Sequence, residues 1–293
     1  MTGTIGWVGI GAMGRPLAVN VAKAGFDLIV CSRRPEAISS IQAMGAKTAA
    51  NAGATASQCD ILFACLPTVA SSEAVANEVF GAKQRPDIYV ELSTLSPVFI
   101  RDLAAKAADV GLTLIDAPVS GNAKARADGA LTVMVGGDKK AYARIRPVLD
   151  AFAGRIFLMG PVGSGSMAKV CNQLLVMTSL VSAIEGLLLG ARHGLHITDL
   201  RDVIMAASGA AWTIPVIASE YSTRTYRTLD EPRAALRLAV KDLELAVELA
   251  AEVGLPTRVA QAALAVWREA EAAGLGDTDI YSLIDHIESE LPH

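Results

Sequence analysis

The sequence is poor in aromatic residues, which make up 5% of its 293 positions. Its core must therefore be built mainly from Ala, Val, Leu and Ile. Cysteine is scarce as well. Cys31, Cys59, Cys65 and Cys171 form no C-x-x-C pair and show no metal-ligand spacing, which argues against a disulfide framework or a zinc site. Reduced thiols packed as small hydrophobes in a cytoplasmic protein fit this usage. Charged residues reach 19%, and Lys+Arg 26 against Asp+Glu 30 leaves a net charge of −4. That balance excludes a broad nucleic-acid or anionic-membrane surface but leaves room for a local basic pocket. The four histidines, His193, His196, His286 and His293, show no metal-ligand spacing with Cys, Asp or Glu, so no metal is expected. Asp128 and Glu185 show no evident partner, and there is no G-x-S-x-G serine-nucleophile motif.

Long hydrophobic runs are also missing. The stretch Met167–Gly190 approaches the length of a membrane span, but Lys169, Asn172, Gln173 and Glu185 interrupt it. The unbroken part, Leu174–Ile184, falls short of the roughly 20 apolar residues a bilayer requires. A helix apolar on nearly all sides is instead expected to lie buried between domains or subunits. The chain opens on a strand-like Thr4–Val8 with no basic n-region or apolar h-region, so no secretion signal is expected. No internal repeat or low-complexity tract is visible.

Hydrophobic residues make up 52%, which excludes wholesale disorder, and the length suits two domains. Apolar runs at 5–8, 28–31, 61–66, 88–92, 112–115, 131–135 and 156–159 read as strands, with a weaker one near 46–48. Ala-rich stretches of helical period, such as 16–24 and 98–108, lie between most of them. Alternating strands and helices imply βαβ units on a mostly parallel sheet, with antiparallel pairings possible after Leu112. Beyond Gly160-Pro-Val-Gly-Ser-Gly165 the strand signals stop. Leu236, Val240, Leu243 and Val247 form a helical stripe that Gly254-Leu-Pro256 ends,. The expected division is residues 1–162 as an α/β dinucleotide-binding domain and 163–293 as an all-α substrate and oligomerisation domain.

Gly9-Ile10-Gly11-Ala12-Met13-Gly14 follows the first strand and opens the first helix. In that context G-x-G-x-x-G marks a Rossmann-type, doubly wound dinucleotide fold. Gly9 permits the tight turn, Gly11 lets the backbone approach a pyrophosphate, and Gly14 allows close helix–strand packing. The helix N-terminus supplies N–H groups for the anion. About 20 residues on, an NAD site usually carries an acid for the ribose 2′-OH. Here Cys31 is followed by Ser32-Arg33-Arg34, with Asp27 too early and Glu36 too late. A hydroxyl and a guanidinium suit a 2′-phosphate, so NADP is expected to be preferred over NAD. Loops after later strands also face the cofactor in such a sheet, which singles out Leu66, Pro67 and Thr94. Ser93, Thr94 or Ser96 can cap the helix that starts near Pro97.

These motifs, together with Ser93–Pro97, Asp116-Ala-Pro-Val-Ser-Gly121, Gly163–Asn172 and Lys241-Asp242-Leu243, resemble the β-hydroxyacid dehydrogenase family. That group includes 3-hydroxyisobutyrate and tartronate-semialdehyde reductases. The segments run in family order from residue 5 to past 243. The resemblance implies a Rossmann-type domain, a helical C-terminal domain used in oligomerisation (a homodimer or homotetramer), and an active site in the cleft between them. It implies a catalytic role for Lys169 and substrate-binding roles for Ser120, Gly121, Asn122 and Asn172. Lys241 aligns with a lysine near nicotinamide and substrate. Two departures stand out: Asn122 replaces a common glycine, placing a side chain in the carboxylate-binding loop, and Gln173 replaces a common asparagine. Imine reductases share the fold but typically replace the lysine.

Lys169, Asn172, Gln173 and Val176 fall on one helix face by their spacing. A desolvated lysine can shuttle the proton of a hydroxyl being oxidised or a carbonyl being reduced. The expected activity is hydride transfer between NADP and a short 3-hydroxy acid or its semialdehyde. The alternatives are an imine or other carbonyl reductase, or a non-catalytic NADP-binding sensor. The cofactor reading is checked by comparing kcat/KM for NADPH and NADH: NADPH should give the higher value, and a clear NADH preference would overturn it.

Overall fold

The computed structural model describes residues 3–32 and 37–291. By packing, the chain forms two compact units, residues 1–169 and 170–293.

In the first unit, β1 (Ile5–Val8), β2 (Leu28–Cys31), β3 (Lys47–Thr48), β4 (Ile61–Ala64), β5 (Ile88–Glu91) and β6 (Thr113–Asp116) are joined by parallel pairing. The sheet continues with β7 (Val119–Ser120), β8 (Leu131–Gly136) and β9 (Ala153–Gly160). Among the described residues the order is β3-β2-β1-β4-β5-β6-β8-β7, with β9 on β8. The helices are α1 (Gly14–Lys23), α2 (Ser39–Gln42), α3 (Ala52–Ala56), α4 (Val69–Phe80), α5 (Pro97–Asp109), α6 (Ala123–Ala127) and α7 (Lys139–Leu149). The antiparallel pairings fall where the sequence allows them, since β8 runs against both β6 and β7. The two-residue β7 is too short to leave a hydrophobic pattern.

The inner strands read as continuous apolar runs because both sheet faces are covered. All four residues of β1, β2, β4 and β5 are buried. Alternation sorts their side chains: Ile5, Trp7, Ile61, Phe63, Ile88 and Val90 join one core, while Val8, Leu62, Ala64 and Tyr89 join another,. Trp7 stacks on its register partner Phe63 at 5.3 Å and meets Phe152 edge-on at 6.0 Å. Side-chain caps fix several helix starts. Thr68 and Ser71 form a capping box on α4, and Ser96, rather than Ser93 or Thr94, caps α5 ahead of Pro97,.

The second unit is helical: most of α8 (Ser164–Arg192), then α9 (Ile197–Ala206), α10 (Thr213–Thr223), α11 (Leu236–Glu252), α12 (Arg258–Ala270) and α13 (Leu283–Ser289). By length and hydropathy α8 passes for a membrane span. Its Met177, Leu180, Val181, Ile184, Leu187 and Leu188, however, form the core of this unit with α11 and α12. In α11 the stripe Leu236, Val240 and Leu243 is buried and Val247 packs against it. The next helix starts at Arg258, beyond Pro256. Trp267 is fully buried and donates its indole N–H to the Met177 carbonyl at 3.1 Å. Trp267→Ala should therefore lower the unfolding free energy by about 3–5 kcal/mol, as measured by urea denaturation followed by far-UV circular dichroism.

Candidate active site

The chain leaves β1 to one side for β2 and β3 and returns on the other side for β4, β5 and β6. Ligands bind outside the carboxyl ends of strands at such a reversal. The turn after β1 is shaped accordingly. Gly9 has φ +95, and a Cβ there would lie 2.1 Å from the Cys65 carbonyl oxygen. A Cβ on Gly14 would lie 2.0 Å from the Gly9 carbonyl oxygen, so neither position tolerates a side chain. At Gly11, by contrast, no described atom lies within 4 Å of an added Cβ. No side chain caps the start of α1. Its amide groups and the open backbone at Gly11 fit the pyrophosphate of a dinucleotide. Within this segment the Ile10 side chain packs into the core, Ala12 is exposed, and Met13 is partly buried. Ser32 follows β2 and is half-buried, whereas Arg33 lies outside the described residues, as do Arg34 and Glu36.

The next two loops are tied together. The Leu66 amide donates to Ser93 Oγ at 2.8 Å. The Ser93 hydroxyl and amide donate to Glu91 Oε1 at 2.5 and 3.1 Å, and the Tyr89 hydroxyl donates to Oε2 at 3.3 Å. Leu66 and Thr94 are half-buried and Pro67 is exposed. Sequence reasoning missed Glu91, although a carboxylate closing a fully apolar strand is a visible signal.

In the adjoining strand position stands Asp116, also fully buried. Its Oδ1 accepts from the Gly163 amide at 2.7 Å and its Oδ2 from the Ser166 amide at 2.6 Å. The carboxylate thereby caps α8 from a distance. The fit is close: a Cβ on Gly136 would sit 2.4 Å from Asp116 Oδ1, and one on Gly165 2.2 Å from the Met134 carbonyl. The first turns of α8 therefore pack with the sheet. Lys169 follows on this helix and is 7% exposed.

Ser120 ends β7, half-buried and paired with Thr132. Gly121 and Asn122 are exposed. The Asn122 side chain has a local partner. Its carbonyl accepts from the Ala125 amide at 2.9 Å and caps α6, which is the ordinary use of asparagine at a helix start,. Asp128, for which the sequence shows no partner, pairs with Lys124 one helical turn earlier,.

Within the second unit, Asn172 Nδ2 donates to Gln173 Oε1 at 3.1 Å. Gln173 is buried, and its Nε2 donates to Asp242 Oδ2 at 2.7 Å. Lys241 Nζ lies 3.1 Å from the other oxygen of Asp242. The longer amide at position 173 thus links α8 to α11. His286 lies 3.7 Å from Glu290, and with Glu269 these residues bring ligand atoms within 4.8 Å of one another. That proximity depends on α12 meeting α13 and has no sequence signature.

Residues 4–160 match the family described as the NAD binding domain of 6-phosphogluconate dehydrogenase. Residues 163–287 match that described as the NAD-binding of NADP-dependent 3-hydroxyisobutyrate dehydrogenase. The chain belongs to the 3-hydroxyisobutyrate dehydrogenase-like β-hydroxyacid dehydrogenases. Members of this family are NAD(P)-dependent enzymes that act on CH–OH groups, and so is this chain. It is 32% identical to an L-threonate dehydrogenase of Cupriavidus necator, over 97% of this chain and 96% of that one. It is 33% identical to an NAD-dependent L-serine dehydrogenase of Pseudomonas aeruginosa, over 94% of each. A solved Mycobacterium tuberculosis 3-hydroxyisobutyrate dehydrogenase with L-serine superposes with a TM-score of 0.86 at 31% identity, covering 98% of this chain and 99% of that one.

Burial pushes the Glu91 carboxyl from its ordinary 4.5 up to about 7, against the lowering effect of the Ser93 and Tyr89 hydrogen bonds. The folded chain therefore holds this proton more tightly than the unfolded chain. The stability it confers is complete below 4.5 and is lost as pH rises through about 7,. Urea unfolding should show wild type losing stability relative to Glu91→Gln between about pH 5 and pH 8. A difference that does not change with pH would refute the assignment.

Proposed function

We propose that the chain is an NADP-preferring dehydrogenase that interconverts a short 3-hydroxy acid and its semialdehyde or keto partner, with Lys169 as general acid/base. The observation that carries this reading is the buried Lys169 on a helix whose start is fixed by Asp116. A lysine withdrawn from water is driven toward the neutral amine, the form that can accept a hydroxyl proton near neutral pH.

The nicotinamide, when bound, supplies the hydride acceptor or donor. The Gly9–Gly14 turn holds the dinucleotide's pyrophosphate, Leu66, Pro67 and Thr94 face its remaining length, and Ser32 with Arg33 takes the 2′-phosphate. Support for NADP comes from the missing acid after β2 and from the match over residues 163–287. Ser120 and the amides of Gly121 and Asn122 hold a substrate carboxylate. Asn172 hydrogen-bonds the reacting oxygen while Lys169 takes its proton in oxidation and returns it in reduction. Gln173 and Lys241 complete the substrate end, Gln173 by orienting Asn172. The substrate class is supported by relatives named for L-threonate, L-serine and 3-hydroxyisobutyrate, all short carboxylic acids bearing a hydroxyl. Assembly as a homodimer or homotetramer belongs to the proposal, supported by Leu175 and Leu189 exposed on α8.

Turnover of a panel of short 3-hydroxy acids and semialdehydes, followed by NADPH absorbance, tests the reading. Lys169→Ala should lower kcat by about 10²–10⁴-fold and leave the Kd for NADPH unchanged. Undiminished turnover in that variant would remove Lys169 from the chemistry.

A further inference from the structure

Three of the side chains proposed for the substrate end, Asn172, Gln173 and Lys241, are linked through one buried carboxylate. It belongs to Asp242 of α11, 7% exposed. Further along α11, Ala246 and Leu249 pack against Val170 of α8. Gln173 stands one turn beyond Val170 on the same side of α8. The two helices therefore meet over an apolar contact that ends in a polar step, where Gln173 Nε2 donates to Asp242 Oδ2 at 2.7 Å. The bonds continue to Asn172, whose Nδ2 donates to Gln173 Oε1 at 3.1 Å. At the other carboxylate oxygen, Lys241 Nζ lies 3.1 Å from Oδ1.

A side-chain amide carries its carbonyl oxygen and its NH2 group in nearly equivalent positions, so two senses fit the same space. A carboxylate accepts and does not donate. Asp242 therefore turns the Gln173 NH2 group toward itself and leaves the Gln173 carbonyl facing Asn172. That carbonyl in turn draws the Asn172 NH2 group. Donation runs one way, from Asn172 through Gln173 to Asp242, and its sense is imposed from the α11 end. Further contacts of either amide do not reverse it, because Asp242 has no hydrogen to give. A well-packed hydrophobic pair in place of Gln173 and Asp242 would hold the helices about as firmly. What the acid adds is direction.

We propose that Asp242 is a positioning residue for the reaction: its buried carboxylate sets the sense of the Gln173 amide and, through it, of Asn172, so that Asn172 meets the reacting oxygen of the substrate with a fixed edge. This rests on the reading that places Asn172 at the reacting oxygen. It also gives the departure at position 173 a purpose, since an asparagine there is one methylene shorter and stops short of the acid. In Asp242→Asn, the new carbonyl turns to the Lys241 ammonium and the new NH2 group to Gln173, so Gln173 and then Asn172 turn over.

The test is steady-state oxidation of 3-hydroxyisobutyrate and of L-serine by the full-length protein, with NADP+ and with NAD+, so that cofactor preference does not decide the outcome. Melting temperature and circular dichroism check that each variant is folded. Asp242→Asn should lower kcat about tenfold. Gln173→Asn, which keeps an amide but loses the reach, should lower it by a similar factor. Asn172→Ala should lower kcat at least as much. In the Asn172→Ala background, Asp242→Asn should cost less than about a further twofold, because no amide remains to be turned. A merely structural acid would multiply its loss in both backgrounds, so this cycle separates the two roles. Gln173→Asn carries the same cycle should Asp242→Asn fold poorly. A kcat within about twofold of wild type in the folded variant would overturn the proposal, as would a loss that multiplies with that of Asn172→Ala. Wild type that oxidises neither probe refutes the substrate reading, and full activity in Asn172→Ala refutes the place of Asn172 at the reacting oxygen. In either case the proposal falls with the reading beneath it.

Discussion

One buried carboxylate holds the start of α8 to the sheet. Asp116 ends β6 and accepts the amide hydrogens of Gly163 and Ser166, so the start of α8 is capped by a residue almost fifty positions earlier in the chain. Hydrogen bonds to a charged acceptor contribute about 1.5–3 kcal/mol each, and burial of the carboxylate is tolerable only because they are made. The absence of side chains at Gly136 and Gly165 lets the three segments approach closely enough to make them. Lys169 inherits its place from this joint. Burial raises the Asp116 pKa while the two amides pull it down, so the joint is anchored by the same opposition of forces that makes it costly to alter.

A second carboxylate repeats the device one strand away. Glu91 stands beside Asp116 in register and organises the loops after β4 and β5 through Ser93. Both acids close strands whose preceding two residues are buried and hydrophobic, where the two core layers exclude water. The sheet therefore supplies a dry platform whose carboxyl edge carries a row of polar fasteners. The few aromatics of that platform are grouped, with Trp7, Phe63 and Phe152 in one layer and Phe80 and Tyr89 in the other, and aliphatic chains fill most of the remainder.

Much of this was legible in the sequence. The inner strands are covered on both faces, so their apolar runs mark them to within a residue or two, and the glycine pattern declares the turn after β1. The sequence offered Ser93, Thr94 and Ser96 as caps ahead of Pro97, and backbone geometry selects Ser96. What the sequence concealed depends on contacts between distant segments. Nothing near Gln173 points to Asp242, and nothing near Asp116 points to Gly163. Asn122 illustrates the complementary case: its position was noticed as a departure, but the local competition between lining a loop and capping a helix is decided by backbone geometry. The wetter, shorter elements, such as β7, carry too few residues to show a period.

The helix that briefly resembles a membrane span fixes the interval between two of its polar side chains. Lys169 and Asn172 occupy one unbroken stretch of α8, with no loop between them. At about 1.5 Å of rise per residue, their axial spacing is close to 4.5 Å and their directions differ by less than a full turn. Thermal motion in surface loops cannot stretch that interval, since each backbone hydrogen bond along the rod would have to break first. The interval between the two side chains is written in the helix repeat itself.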